Sequence, residues 1–177
     1  AKMSTTMSTY TISVHGFWKY KADVFDENNN LLAISELNRR NAQIEFLLDK
    51  GRRTLSRHGF FRQWYQLMDE TGNRLCRSLS KIVKYPLTLY TESGTQWLKV
   101  NRQGVFNIRY IFYDAKGKEV AWMKTKGLFS RKYELRISQL QPDFRNNIIS
   151  IATAMVLFDI VDAAAAAAAA SSASAAR

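Results

Sequence analysis

Cysteine and histidine are nearly missing from this chain of 177 residues, which holds one cysteine, Cys76, and two histidines, His15 and His58. An internal disulfide is therefore impossible, and a structural zinc site with four Cys or His ligands is excluded. Only 2 prolines and 8 glycines are present, and 46% of residues are hydrophobic, so the chain is neither a low-complexity nor a disordered polymer. The glycines are scattered singly, which leaves no glycine-rich phosphate loop and no implied nucleotide cofactor. Residues 1–7 lack the apolar core of a signal peptide and read as a disordered or expression-derived leader, so a cytoplasmic location is expected. Acidic residues are also scarce. Fifteen Asp and Glu face 26 Lys and Arg, and the net charge of +11 makes anionic partners the first expectation.

What is abundant is alternation. Trp18, Tyr20, Ala22 and Val24 fall on one side of a period of two, with Lys19, Lys21 and Asp23 on the other. Ala42, Ile44 and Phe46, then Phe106, Ile108, Tyr110 and Phe112, then Tyr133, Leu135 and Ile137 repeat the pattern. Alternation of this kind marks antiparallel strands with one buried and one wet face. Roughly ten to twelve such strands suggest a closed or nearly closed barrel.

Turn signals recur with the strands. Asp26-Glu27-Asn28-Asn29, Asp69-Glu70-Thr71-Gly72 and Asp114-Ala115-Lys116-Gly117 share one design. The aspartate accepts from turn amides, and the Asn or Gly three residues later tolerates a left-handed backbone. An apolar residue precedes each aspartate by two positions (Val24, Leu67, Phe112) and another follows it by six (Leu32, Leu75, Val120). One or two carboxylates per turn are too few for calcium, so these are read as structural hairpins and no metal is expected.

The alternation stops near the end of the chain. From Asn147 to Phe158 no residue is charged, and apolar groups cover every face of a helical wheel. With Pro142-Asp143 as its start, the expected helix spans about 143–161. It is too short before Asp159 and Asp162 to cross a bilayer, so it is expected to be buried in protein. Asp159 then needs a partner inside the fold. Residues 163–177 form an alanine- and serine-rich tail.

Strands followed by a wholly apolar C-terminal helix resemble the tubby C-terminal-like superfamily, which includes phospholipid scramblases and LURP-one-related proteins. The likeness rests on Pro142-Asp143-Phe144, the run Ile148–Phe158 and the closing Asp159, together with the repeated aspartate hairpins. It implies a β-rich (α+β) fold: an antiparallel, roughly twelve-stranded barrel over residues 8–162, enclosing the hydrophobic C-terminal helix. The scramblases' acidic calcium segment has no counterpart beyond Asp143, and their lipid-attachment cysteine cluster is absent. Of the phosphoinositide-binding pocket of tubby proteins, only a generally basic surface carries over.

The basic residues concentrate in two main groups. Arg52, Arg53, Arg57 and Arg62 interleave with His58, Phe60, Phe61 and Trp64. Lys124, Lys126, Arg131 and Lys132 surround Gly127-Leu128-Phe129, where Leu128 and Phe129 form a candidate membrane wedge. Lys81 and Lys84 make a thinner third group. Cations near an anionic bilayer contribute ~1 kcal/mol each. The expected function is a non-catalytic module, peripheral at the membrane, docking on anionic lipid headgroups such as phosphoinositides. Three alternatives stand beside it: a small-ligand or enzymatic site at the barrel mouth near His58 and Cys76, a protein-interaction domain, and, less favoured, nucleic-acid binding through phosphates and stacked bases.

Overall fold

A helix with no polar face must be enclosed on every side, and the rest of the chain supplies that enclosure. The computed structural model describes residues 6–16, 18–49, 51–105, 107–127, 131–138 and 142–175. Within them twelve strands follow in order: β1 (Met7–His15), β2 (Lys21–Phe25), β3 (Leu31–Asn38), β4 (Gln43–Leu48), β5 (Gly51–His58) and β6 (Trp64–Asp69), then β7 (Arg74–Ser78), β8 (Leu87–Tyr90), β9 (Gln96–Gln103), β10 (Arg109–Asp114), β11 (Glu119–Thr125) and β12 (Lys132–Ser138). Each pairs antiparallel with its neighbours in the chain, and β1 pairs with β12 from Met7–Ser138 to Ser13–Lys132, closing the barrel.

The helix α1 (Pro142–Ala175) runs through the centre. Inward residues such as Ile12, Phe46, Leu98, Phe112 and Met123 meet Ile148, Ile151, Met155 and Phe158 of α1, all essentially without solvent contact. Eight strands leave room for little beyond their own side chains. Twelve leave a lumen wide enough for a helix of ~10–12 Å diameter. By length and composition α1 could cross a membrane, yet residues 148–158 are buried inside the barrel.

The three aspartate turns form as expected. The Oδ1 atoms of Asp26, Asp69 and Asp114 each accept two backbone N–H groups at 2.9–3.0 Å, from the residues two and four positions on. Asn29, Gly72 and Gly117 take positive φ values of 61°, 85° and 81°. A fourth turn has the same backbone, with Thr91 in place of aspartate and Gly94 at φ 83°.

Several strands begin later than alternation predicts. Trp18 was expected to share a strand face with Tyr20, but β2 starts at Lys21 and Trp18 projects into solvent. The cause is Gly16, whose φ of +94° turns the chain so tightly that a Cβ there would lie 2.1 Å from the Lys19 carbonyl oxygen. Ala42, at φ 51°, belongs to the loop before β4. Ile108 precedes β10, and Phe106 lies outside the described residues. The helix expected over 143–161 continues to Ala175, because the alanine run has the highest helix propensity and nothing interrupts it.

Replacing Met155, fully buried in α1, by aspartate puts an unpaired charge in the barrel. Met155→Asp is expected to abolish the cooperative thermal transition followed by circular dichroism. A melt like the parent's would refute the enclosed-helix packing.

Candidate functional site at one end of the barrel

Strand alternation sorts the connections into two sets. Those after even-numbered strands, including the four tight turns, lie at the end where α1 enters. Those after odd-numbered strands, residues 16–20, 39–42, 59–63, 79–86, 104–108 and 126–131, form a crown where α1 leaves.

The two ends differ in chemistry. The six crown loops contain Lys19, Arg39, Arg40, Arg62, Lys81, Lys84, Lys126 and Arg131 and no aspartate or glutamate. Asp26, Glu27, Asp49, Asp69, Glu70, Glu92 and Asp114 instead lie in or beside the turns of the opposite end. The crown also carries exposed apolar side chains. Trp18, Phe60, Phe61, Ile82, Val83 and Val105 are 68–87% exposed, more than any other large hydrophobic residue among those described.

A glycine-led sequence pattern underlies the tips that carry Trp18, Phe60, Phe61 and Val105, and recurs at Gly127. Gly16-Phe17-Trp18, Gly59-Phe60-Phe61, Gly104-Val105-Phe106 and Gly127-Leu128-Phe129 each place two bulky apolar residues after a glycine. Gly59 and Gly104 have φ of +87° and +86°, and an added Cβ would lie 2.0 Å from the Arg62 carbonyl oxygen and 2.4 Å from that of Asn107. That reversal throws the following residues outward.

The helix exit is closed by ion pairs. Asp159 accepts from Lys84 Nζ at 2.5 Å, Tyr85 Oη at 2.9 Å and Tyr110 Oη at 2.6 Å, with Arg102 Nε 3.8 Å away. Asp162 accepts from Lys84 Nζ at 2.7 Å and from Arg57 at 2.8 and 3.0 Å. Asp159 therefore has the internal partners its burial demanded. Burial raises the Tyr85 and Tyr110 hydroxyl pKa values, and the neighbouring Asp159 charge adds to this, so both remain donors. Burial alone would favour the neutral Lys84 amine, but the charge of Asp159 and the hydrogen bonds of both carboxylates keep it cationic, above its ordinary value.

Beside the exit, the β1–β2 and β3–β4 loops flank a cleft of about 550 Å³ lined by Trp18, Lys19, Asn38, Arg39, Arg40 and Asn41, among others. Glu36 and Glu45 stand on its wall. The Arg39 and Arg131 guanidinium groups lie 5.9 and 6.0 Å from the Tyr20 ring centroid.

The eight cations singled out from the sequence do not share one surface. Arg62, Lys126 and Arg131 lie in crown loops, and Lys132 begins β12 just below them. Lys126 Nζ donates to Thr11 Oγ1 at 2.8 Å, and Arg131 donates to the Gly16 carbonyl at 3.0 Å. Lys124 stands on the outer wall, 4.0 Å from Glu134 and 5.2 Å from the Trp122 ring centroid. Arg57 is committed to Asp162 and lies 4.5 Å over the Phe158 ring. Arg52 and Arg53 open β5 at the opposite end, where Arg53 reaches Asn147 of α1 at 3.4 Å. Leu128 and Phe129 lie outside the described residues. Sequence reasoning missed Lys19, Arg39, Arg40 and Trp18. The signal for Trp18 and the adjoining Lys19 was the glycine-apolar-apolar repeat at residues 16, 59 and 104, whose spacings of 43 and 45 match those of Asp26, Asp69 and Asp114, whereas Arg39 and Arg40 carry no such mark.

His58 and Cys76, named from the sequence beside a candidate barrel-mouth site, have separate surroundings. His58 stacks on Trp64 at 4.3 Å and contacts Gln66 Nε2, while Cys76 is buried among the inward residues. Burial pushes the Cys76 thiol up to about 12. Among the described residues no group of three or more His, Cys, Asp or Glu is placed to hold a metal ion.

No family model and no curated protein matches the chain. An X-ray structure of an Arabidopsis thaliana protein is similar in fold, with a TM-score of 0.57 at 17% identity, covering 89% of this chain and 93% of that one.

The exit pairs make stability depend on pH. Burial works against the charged Asp162, but the hydrogen bonds and charges of Lys84 and Arg57 outweigh it and hold the carboxyl below its ordinary 3.8. A carboxyl with a lowered folded pKa stabilises fully above the unfolded value and loses that contribution as pH falls through the folded one. Asp162→Asn is therefore expected to lower the urea midpoint at neutral pH, with the gap from the parent narrowing once pH drops below about 3.8. A gap independent of pH would contradict this.

Proposed function

We propose that this chain is a non-catalytic module that docks, crown first, on membranes containing anionic lipid, with the exposed, uncharged 163–175 extension of α1, which leaves the barrel at this end, entering the lipid along with the loops. One observation carries the reading: the exposed apolar tips and eight Lys and Arg residues lie in loops of a single barrel end whose own segments hold no Asp or Glu. The carboxylates beside these loops are Asp159 and Asp162 of α1, which pair with Lys84, and Glu36 and Glu45 on the cleft wall. Apolar tips gain by leaving water among acyl chains. Each cation near an anionic surface contributes ~1 kcal/mol, within a Debye length. The turns at the other end mix carboxylates with Arg52, Arg53, Arg74, Lys116 and Lys118, so charge favours the crown only in combination with its apolar tips. The cleft beside Trp18 has the size of a ligand site. Lys19, Arg39 and Arg40 supply charge for a phosphorylated headgroup such as a phosphoinositide, and Asn38 and Asn41 supply amides for its hydroxyls. On this reading the protein is cytoplasmic and peripheral at the membrane. We further infer a distant kinship with the tubby C-terminal-like superfamily, supported by the twelve-stranded barrel around a C-terminal helix that closes on Asp159.

Co-sedimentation with neutral, phosphatidylserine and phosphoinositide vesicles at low and near-physiological salt tests the reading. The parent is expected to pellet with the anionic vesicles and not the neutral ones. Arg39→Glu with Arg40→Glu removes two cations, so its affinity should fall by about thirtyfold or more. Arg52→Glu, at the other end, should bind like the parent. Phosphoinositide binding that survives physiological salt in the parent and is lost in Arg39→Glu with Arg40→Glu would assign the headgroup to the cleft. A parent that stays in the supernatant with every vesicle overturns the proposal.

A further inference from the structure

The β5–β6 and β7–β8 loops form one lobe of the crown. Gln63 and Lys81 exchange backbone hydrogen bonds of 2.9 and 3.1 Å, and Ser80 Oγ donates to the Arg62 carbonyl at 3.2 Å. Together the two loops present Phe60, Phe61, Ile82 and Val83.

The β7–β8 loop has weak support from its own strands. β7 and β8 pair at only two positions, Arg77–Tyr90 and Ser78–Leu89, before eight residues of loop. Besides the Gln63–Lys81 bridge, the loop is held at its C-terminal base from inside the barrel. The holding group is α1. Lys84 and Tyr85, directly after Val83, bond to Asp159, and Lys84 also bonds to Asp162. Lys84 and Asp159 are only 16% and 13% exposed, so these charge-assisted bonds are little weakened by water. The helix itself is fixed by the barrel around it.

We propose that Asp159 and Asp162 are positioning residues for membrane docking: through Lys84 and Tyr85 they hold the Ile82–Val83 tip beside Phe60 and Phe61. This rests on the docking reading above. It adds a specific dependence, in which carboxylates at the helix exit, acting through Lys84 and Tyr85, set how deeply one loop enters the bilayer.

The test uses single cysteines introduced at Val83 or Trp18 and labelled with an environment-sensitive fluorophore. Cys76 is buried, with its thiol pushed up to about 12, so it stays unlabelled in the folded protein. On phosphatidylcholine–phosphatidylserine vesicles both labels are expected to shift to the blue in the parent. In Asp162→Asn, where Lys84 and Tyr85 keep only their bonds to Asp159, the Val83 label should shift less than in the parent while the Trp18 label keeps its full shift. Vesicle affinity should fall about fivefold, as for partial loss of one buried aliphatic side chain. Asp162→Glu, which restores the carboxylate, should restore the Val83 shift. Thermal melts of each labelled protein identify any variant that fails to fold, and Lys84→Gln then serves in place of Asp162→Asn. A Val83 label that shifts equally in parent and variant overturns the positioning role alone. Labels that shift at neither site in the parent overturn the docking reading, and this proposal with it.

Discussion

The helix has no side that can face water, and the rest of the architecture answers to that. Ile148, Ile149, Ile151, Met155, Val156 and Phe158 point in all directions around α1, so a single sheet packed on one face would leave half of them wet. A ring of strands removes the problem and also removes sheet edges, which would otherwise invite pairing with other chains. The inward residues of the strands then pack on the helix, and alternation turns the intervening residues outward, most of them polar, with Leu31, Ile34 and Leu47 among the apolar exceptions, on β3 and β4. Where α1 leaves the ring its sequence changes to Asp159 and Asp162, and inward cations and hydroxyls meet it there.

The barrel also sorts function by parity. In an up-and-down meander every second connection lands at the same end, so loops far apart in sequence become neighbours without any contact that selects them. Three loops use a glycine at positive φ to expose Trp18, Phe60, Phe61 and Val105, while the opposite turns use Asp or Thr with Gly or Asn to reverse the chain in few residues. The short turns are filled by their own hydrogen bonds. The crown loops leave apolar groups unsatisfied by the protein, and that asymmetry is what the docking reading interprets.

Legibility differed between these levels for physical reasons. The aspartate turns were readable because the side chain, the amides it binds and the left-handed residue all lie within five positions. The burial of α1 was readable from one uninterrupted apolar segment, and with it the need of Asp159 for a partner. Lys84, Tyr85 and Tyr110 could not be named as that partner, since they lie 49–75 residues away. Arg57 looked like a surface cation because its neighbours Arg52, Arg53 and Arg62 are also basic. Its inward place on β5 and its bond to Asp162 follow from strand register. Trp18 was read as a strand residue because alternation does not register a reversal at a single glycine.

By itself the sequence determined the class of fold, the turns and the enclosure of the last helix, since each depends on spacing within one segment and on the cost of leaving apolar surface in water. Tertiary structure alone decided which cations are used internally, which remain at the surface, and that the apolar tips share one end. Those outcomes depend on strand order and register around a closed ring, where residues such as Lys19, Arg62 and Arg131, separated by tens of positions, are brought to a common rim.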